Sequence, residues 1–217
     1  MRATVDLAFV ATGVTTVNLD LCQFTAAVRP ATTGEGLGDP CAEPAARQGR
    51  PSPSGGKGMT VTAVTSANGA VRFAHEQDRV RVTLPRAFVA GDRFAFTVEY
   101  HGIPATGLLI ADNKYGDRSF VSNSWPDKAR NHLASIDHPS VKAAVTTIVT
   151  APRHYQVVSN GLMTQEVDVS GNLRRTTCDA VTEADRDDVR LSVMTRRLGH
   201  RAWRRSREAY NCACLIS

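Results

Sequence analysis

Apolar and polar residues alternate along most of this chain. Residues 4–10 read T-V-D-L-A-F-V and residues 15–21 read T-T-V-N-L-D-L, with A-T-G-V between them. Valine, leucine and phenylalanine fall on one side of each run, and Asp and Asn on the other. That period of two belongs to a strand with one wet face. The pattern returns over residues 59–65, reaches an Asn68-Gly69 turn, and continues as a pair over 70–75 and 78–84. Pro85 and Gly91-Asp92 predict the next loop. Residues 93–100, R-F-A-F-T-V-E-Y, form the clearest strand of all, rich in aromatic and β-branched side chains. Further strands are expected over 107–111, 118–122, 141–151, 155–159, 162–169 and 172–176, with Asn160-Gly161 as a hairpin signal. Short runs at intervals of about 8–12 residues, separated by Gly, Pro and Asn-Gly, predict an all-β antiparallel sandwich or barrel-like sheet system.

Two stretches break the pattern. Residues 22–57 carry five of the ten prolines and six of the sixteen glycines, with almost no periodicity. Such a composition buries too little apolar surface to offset its ordering entropy, so a disordered insertion is expected there. From residue 179 to the end the β pattern also stops. Leu191, Met194 and Leu198 share one helical face, so this Arg-rich tail reads as irregular or weakly helical and outside the fold.

Charge adds little. The formal net charge is +5, and the last 37 residues hold eight Arg against five acidic residues, which supplies +3 of it. No nucleic-acid reader motif accompanies the excess, so no nucleic-acid partner is expected. No apolar run approaches the roughly 18 residues of a membrane-spanning helix. The amino terminus has one Arg and an apolar run broken by Asp6, so no export signal is expected and the default location is the cytoplasm. The five cysteines, at 22, 41, 178, 212 and 214, include no C-x-x-C pair, and free thiols are expected rather than a disulfide framework or a zinc site.

Candidate chemistry is thin. His75-Glu76-Gln77-Asp78-Arg79 begins like H-E-x-x-H, but the fifth residue is an arginine, a permanent cation that ligates no metal. The local pattern there is strand and turn. His132, Asp137, His138 and His154 lack a ligand spacing tied to a scaffold, and Asp137-His138-Pro139 reads as a turn. No nucleophile elbow or phosphate loop occurs. Gly55-Gly56-Lys57-Gly58 reads as flexible linker. Arg130 is expected to form an internal ion pair with Asp127 or Asp137.

One ordered constellation remains. Ala129-Arg130 is followed by Asp137-His138-Pro139-Ser140, then Lys142-Ala143, a strand, Ala151-Pro152, and Val158-Ser159-Asn160-Gly161. Upstream stand Tyr100-His101-Gly102 and Gly107-Leu108. This series resembles the amino-terminal β domain of zinc aminopeptidases of the aminopeptidase N family, over residues 3–21 and 58–178. Its signature here is Ala129, Arg130, Asp137, Pro139, Lys142, Asn160 and Gly161. The resemblance implies a saddle-like antiparallel domain spanning residues 1–21 and 58–178 that forms one wall of a peptide-binding cleft.

The family's catalytic domain, with G-x-M-E-N and H-E-x-x-H, has no counterpart among these 217 residues. The expectation is therefore a non-catalytic domain that has no catalytic or metal-ligating residue and needs no cofactor of its own. Zinc, and contact with peptide substrates, would belong to a catalytic domain absent from this chain. In many members a Gln or Glu five to seven residues before the arginine helps hold the substrate's amino group. Asn123 stands at one such position and Trp125 at the other, so Asn123 is the candidate substrate-binding residue. Export is open to family members, so the resemblance leaves the compartment undecided. The competing reading is a stand-alone β-sandwich binding module.

Overall fold

A computed structural model of the chain describes residues 1–27, 29, 39–43, 55–138, 141, 143–180 and 191–195. These fall into two compact units, Met1–Gly107 with Asp127–His138, and Leu108–Pro126 with Pro139–Ser217.

The first unit is built on the strand with the strongest alternation. Its strands are β1 (Arg2–Ala8), β2 (Val14–Asp20), β3 (Gly58–Ser66), β4 (Gly69–Ala70), β5 (Phe73–Glu76), β6 (Arg79–Phe88) and β7 (Arg93–Ile103). They form two antiparallel sheets, ordered β1-β7-β3-β4 and β2-β6-β5. Phe96, Val98 and Tyr100 of β7 are buried, while Arg93 and His101 are exposed. On the wet face Thr4 meets Thr97 at 2.9 Å, and Arg2 pairs with Glu99 at 2.8 Å. Val80, Val82, Leu84 and Phe88 form the buried side of β6. Phe9 stacks on Phe88 with ring centroids 4.6 Å apart, in a cluster with Leu84.

Pro85 lies inside β6 rather than in the loop the sequence predicts. Register between β2 and β6 breaks where Val14 pairs Phe88 but Thr16 pairs Thr83, so the missing N–H of Pro85 falls at the irregularity. The H-E-Q-D-R sequence is a hairpin turn, as expected: Gln77 and Asp78 both have positive φ, at 51° and 60°, and Glu76 pairs with Arg79.

The second unit contains β8 (Leu108–Asp112), β9 (Arg118–Ser122), β10 (Val145–Pro152), β11 (Tyr155–Ser159), β12 (Leu162–Val169), β13 (Leu173–Ala180) and β14 (Leu191–Thr195). Its two antiparallel sheets are ordered β11-β14-β9-β8 and β10-β13-β12. Gly161 has φ of 78°, as an Asn-Gly turn requires, but β11 and β12 leave the turn into different sheets. The signal predicts the turn correctly and the hairpin pairing wrongly. The hairpin of this region is β12–β13, closed by Val169 opposite Leu173.

The expectation of an irregular or weakly helical tail outside the fold fails at residues 191–195. Leu191–Thr195 is a strand between β11 and β9, and Val193 is buried. Leu191 and Val193 alternate as well as they suit a helix, and the open edge of β9 decides between the two. Leu198 and the rest of the tail beyond residue 195 lie outside the described residues.

The described residues of 22–57 are not structureless either. Cys22 and Cys41 form a disulfide with their Cα atoms 5.5 Å apart, so these two are not the free thiols expected. Gln23 bridges Met59, and Thr25 bridges Lys57. Leu21 and Cys22 are almost fully buried. Long-range pairing supplies what the local composition lacks. A single short helix, a 3-10 turn at Ala129–Asn131, is present among the described residues.

Candidate functional site

The signature residues of the first unit converge on one buried carboxylate. The chain turns through Ala129–Asn131 and returns at Asp137. There Asp137 Oδ2 accepts the backbone N–H of Arg130 at 3.0 Å and its Nε–H at 3.1 Å. Arg130 Nη2 donates to the Asp137 carbonyl at 3.0 Å, and Nε also donates to the Asp127 carbonyl at 3.1 Å. The ion pair expected of Arg130 is thus made with Asp137, and Asp127 contributes its backbone oxygen. Burial pushes the Asp137 carboxyl above its ordinary range, against the opposing bonds from Arg130.

Asp20 completes the clamp. Its carboxylate accepts the N–H of Asp137 at 3.1 Å and lies 3.9 Å from Arg130 Nη1 and 3.6 Å from Arg79 Nε. Nothing local in the sequence marks Asp20, which lies 117 positions from Asp137. Ala129 is buried, as a side chain facing inward from this turn must be. Gly107 passes against the carbonyl of Lys128 so closely that a Cβ there has no room, and its φ is 74°.

Next in the same segment is His132, whose side chain is fully buried with neither ring nitrogen hydrogen-bonded. Tyr100 Oη donates to the His132 carbonyl at 3.1 Å. Burial drives the imidazole pKa down to about 4 and the Tyr100 phenol up to about 12. A neutral imidazole is the physical consequence.

Among the described residues the histidines join no metal-ligand group. Among the described residues, Asp39, Cys41 and Asp78 are the group whose ligand atoms lie within 4.8 Å of one another. It does not fit zinc. Cys41 is in the disulfide, and Arg29 donates to Asp78 at 2.6 Å from each of two nitrogens and approaches Asp39 at 3.4 Å. A guanidinium occupies the place between the two carboxylates. Asp78 also accepts the N–H of Gln23 at 2.7 Å. Burial raises the Asp78 pKa, but the bonds from Arg29 and Gln23 outweigh it and hold the carboxyl below its usual range. His75 Nε2 bonds the Leu21 carbonyl at 2.9 Å, so that histidine secures the chain next to Cys22.

In the second unit, Ser122 and Ser124 are buried and Asn123 between them is exposed. Its amide makes no hydrogen bond among the described residues. Trp125 is 66% exposed and precedes Pro126 through a cis peptide bond. Asn160 and Gly161 form the sharp turn after β11, where Gly161 has a positive φ of 78°. Pro139 and Lys142 lie outside the described residues. The Arg29–Asp78 pair and the disulfide escape sequence reasoning, since their partners are 49 and 19 positions apart and no spacing rule joins them.

Three comparisons bear on this arrangement. The sequence matches the family model described as Peptidase M1 N-terminal domain over residues 58–178. The fold is similar to the crystal structure of an M1 zinc metallopeptidase from Deinococcus radiodurans, with a TM-score of 0.62 and 21% identity, over 88% of this chain and 37% of that one. A mutant of the Deinococcus enzyme bound to a Tyr-Ser-Ala substrate is similar at a TM-score of 0.61 and 21% identity, over the same shares. A two-domain M1 zinc metallopeptidase mutant bound to L-arginine is similar at 0.60 and 20%, again over 88% and 37%. The chain therefore spans little more than a third of the solved chains it resembles, and at these identities the likeness carries the fold. No curated protein sequence matches.

Proposed function

The chain belongs to the Peptidase M1 N-terminal domain family, and we propose that it is the non-catalytic β domain of a zinc-dependent aminopeptidase, walling one side of the cleft that receives the peptide's amino terminus. The observation that carries the reading is the family match over residues 58–178, which includes the Arg130–Asp137 pair. On this reading, water activation and peptide cleavage are the work of a zinc-bearing catalytic domain outside the described residues.

What this chain contributes is position. The Asp137 clamp fixes the return of residues 129–137, and the buried Ser122 and Ser124 hold Asn123 outward. The Asn123 carboxamide oxygen accepts one hydrogen bond from a substrate ammonium group. It lacks the charge of a glutamate, so the contact orients the substrate more than it attracts it.

The test is reconstitution. A polypeptide carrying an M1 catalytic domain with H-E-x-x-H and its downstream Glu is assayed on aminoacyl-p-nitroanilides with increasing amounts of this chain. The reading predicts a saturable rise in hydrolysis, and Asn123→Ala raises KM by about threefold to tenfold, as the loss of one exposed hydrogen bond does. Hydrolysis that does not respond to the chain contradicts it.

A further inference from the structure

The stretch after β2 has few apolar side chains, yet its described ends are held closely. Cys22 belongs to the strand framework. Its N–H donates to the Arg130 carbonyl at 2.8 Å, and its own carbonyl accepts the Met59 N–H at 2.7 Å. Residues 39–43 have no such backbone ladder. Pro40 offers its carbonyl to Asn131 Nδ2 at 2.8 Å, Asp39 lies 3.4 Å from Arg29, and Glu43 lies 3.8 Å from Lys57. These are side-chain and lone-carbonyl contacts rather than a ladder, and the two ion pairs among them are partly open to water. Nevertheless Cys41 is only 4% exposed and Ala42 only 6%. The covalent tie among these contacts is the Cys22–Cys41 bond, which closes a 19-residue interval. Asn131, which receives Pro40, is itself fully buried, and its Oδ1 has no partner. Loss of the Pro40 carbonyl leaves that buried carboxamide with only the Lys128 carbonyl at 3.4 Å.

We propose that the Cys22–Cys41 disulfide is a redox-dependent clip that seats residues 39–43 against the Ala129–Asn131 turn. Oxidised, it keeps Pro40 on Asn131 and so supports the turn that carries Arg130. Reduced, it releases residues 39–43 and loosens that turn. This goes beyond the peptidase-domain reading and stands without it.

Opening requires a dithiol reductant. Cys41 lines a small surface cavity with Arg29, Glu43 and Lys57, and Cys22 does not, so the reductant's thiolate attacks the Cys41 sulfur. The protein S–S bond breaks, and Cys22 leaves as a thiolate that takes a proton from water. The second thiol of the reductant then attacks the mixed disulfide. It closes a cyclic disulfide and releases Cys41 as a thiolate, which is protonated in turn. Two electrons pass from the dithiol to the protein disulfide.

The experiment is hydrogen exchange by mass spectrometry on the full chain, with and without dithiothreitol at constant pH. Reduction is expected to speed exchange over residues 39–43 and 129–133 by about tenfold or more, while β12 and β13 change by less than about twofold. Cys41→Ser is expected to exchange like the reduced protein without dithiothreitol and to show no response to it. Should that variant fail to fold, the reduced wild-type chain carries the test alone. Three results overturn the proposal. One is peptide mapping that finds Cys22 and Cys41 as free thiols, or joined to Cys212 or Cys214, in the air-oxidised protein. Another is unchanged exchange at 129–133 after reduction. The third is acceleration spread equally over every strand.

Discussion

Residues 129–137 and residues 22–43 are the two polar, weakly periodic stretches of the first unit, and they are held by opposite means. In the first, Arg130 and Asp137 lie seven positions apart and bond each other's backbone and side chain. The turn carries its own reason for closing. In the second, Arg29 reaches Asp78 across 49 positions and Cys22 reaches Cys41 across 19. Local bonds there, from Arg29 to the Gln23 carbonyl at 3.2 Å and from the Cys41 N–H to Asp39 Oδ1 at 2.9 Å, shape each end but do not tie it to the sheets. A polar segment is legible when its bonds are local, and looks disordered when its bonds are supplied by strands that fold elsewhere in the sequence.

The largest test of this contrast is acid. His132 is buried neutral with its pKa lowered to about 4 from 6.5. The unfolded chain therefore binds a proton between these two values that the folded chain does not. Stability from this group is complete above about pH 6.5, falls as pH drops through the window, and is lost below about 4. By linkage the loss is on the order of 3 kcal/mol. Asp78, whose pKa is lowered, adds a loss in the same direction once pH falls through the carboxylate range. Asp137, whose pKa is raised, acts oppositely and stabilises as it protonates. Urea denaturation from pH 7 to 4 is expected to show the midpoint falling, with a shallower slope in His132→Phe. An equal slope in that variant would assign the acid sensitivity to other groups.

Next comes Arg130→Ala. It leaves a mostly buried carboxylate and its turn without the guanidinium, at a cost of about 2 kcal/mol in the same measurement. Arg130→Lys is expected to recover less than half of that, because a point charge cannot make the forked contacts to Asp137 and the carbonyl of Asp127.

Asp78→Asn probes the distant clamp. It removes the charge partner of Arg29 but keeps an acceptor for Gln23, and about 1 kcal/mol is expected. Faster exchange should be confined to residues near Gln23 and Arg29. A loss larger than that of Arg130→Ala would reverse the ranking of the two regions.

The smallest effect is expected at the wet edge of β1. Arg2 and Glu99 pair at 2.8 Å, but both side chains are well exposed. Arg2→Ala should change stability by less than about 0.5 kcal/mol.

These magnitudes parallel what the sequence discloses. Alternation finds β7, because Phe94, Phe96, Val98 and Tyr100 point one way over eight residues. It finds the H-E-Q-D-R turn, because Arg79 rules out a metal helix and the flanks alternate. It misplaces Asn160-Gly161 as a hairpin, since a turn signal specifies a change of direction and not the sheet that the next strand joins. It misreads Leu191–Thr195, since five residues suit either period and only the free edge of β9 chooses. Asn123 is suggested by resemblance alone, and it stands exposed between two buried serines. Asp20, Arg29 and the Cys22–Cys41 pair are invisible for one reason, which is that their meaning lies in partners far along the chain.

The central claim is that peptide cleavage is supplied from outside this chain. The direct measurement is hydrolysis of alanyl-p-nitroanilide by the purified 217-residue protein in the presence of added zinc. The account predicts a rate equal to that of zinc and buffer alone. A rate that rises with zinc, saturates with substrate and disappears with a chelator would contradict it.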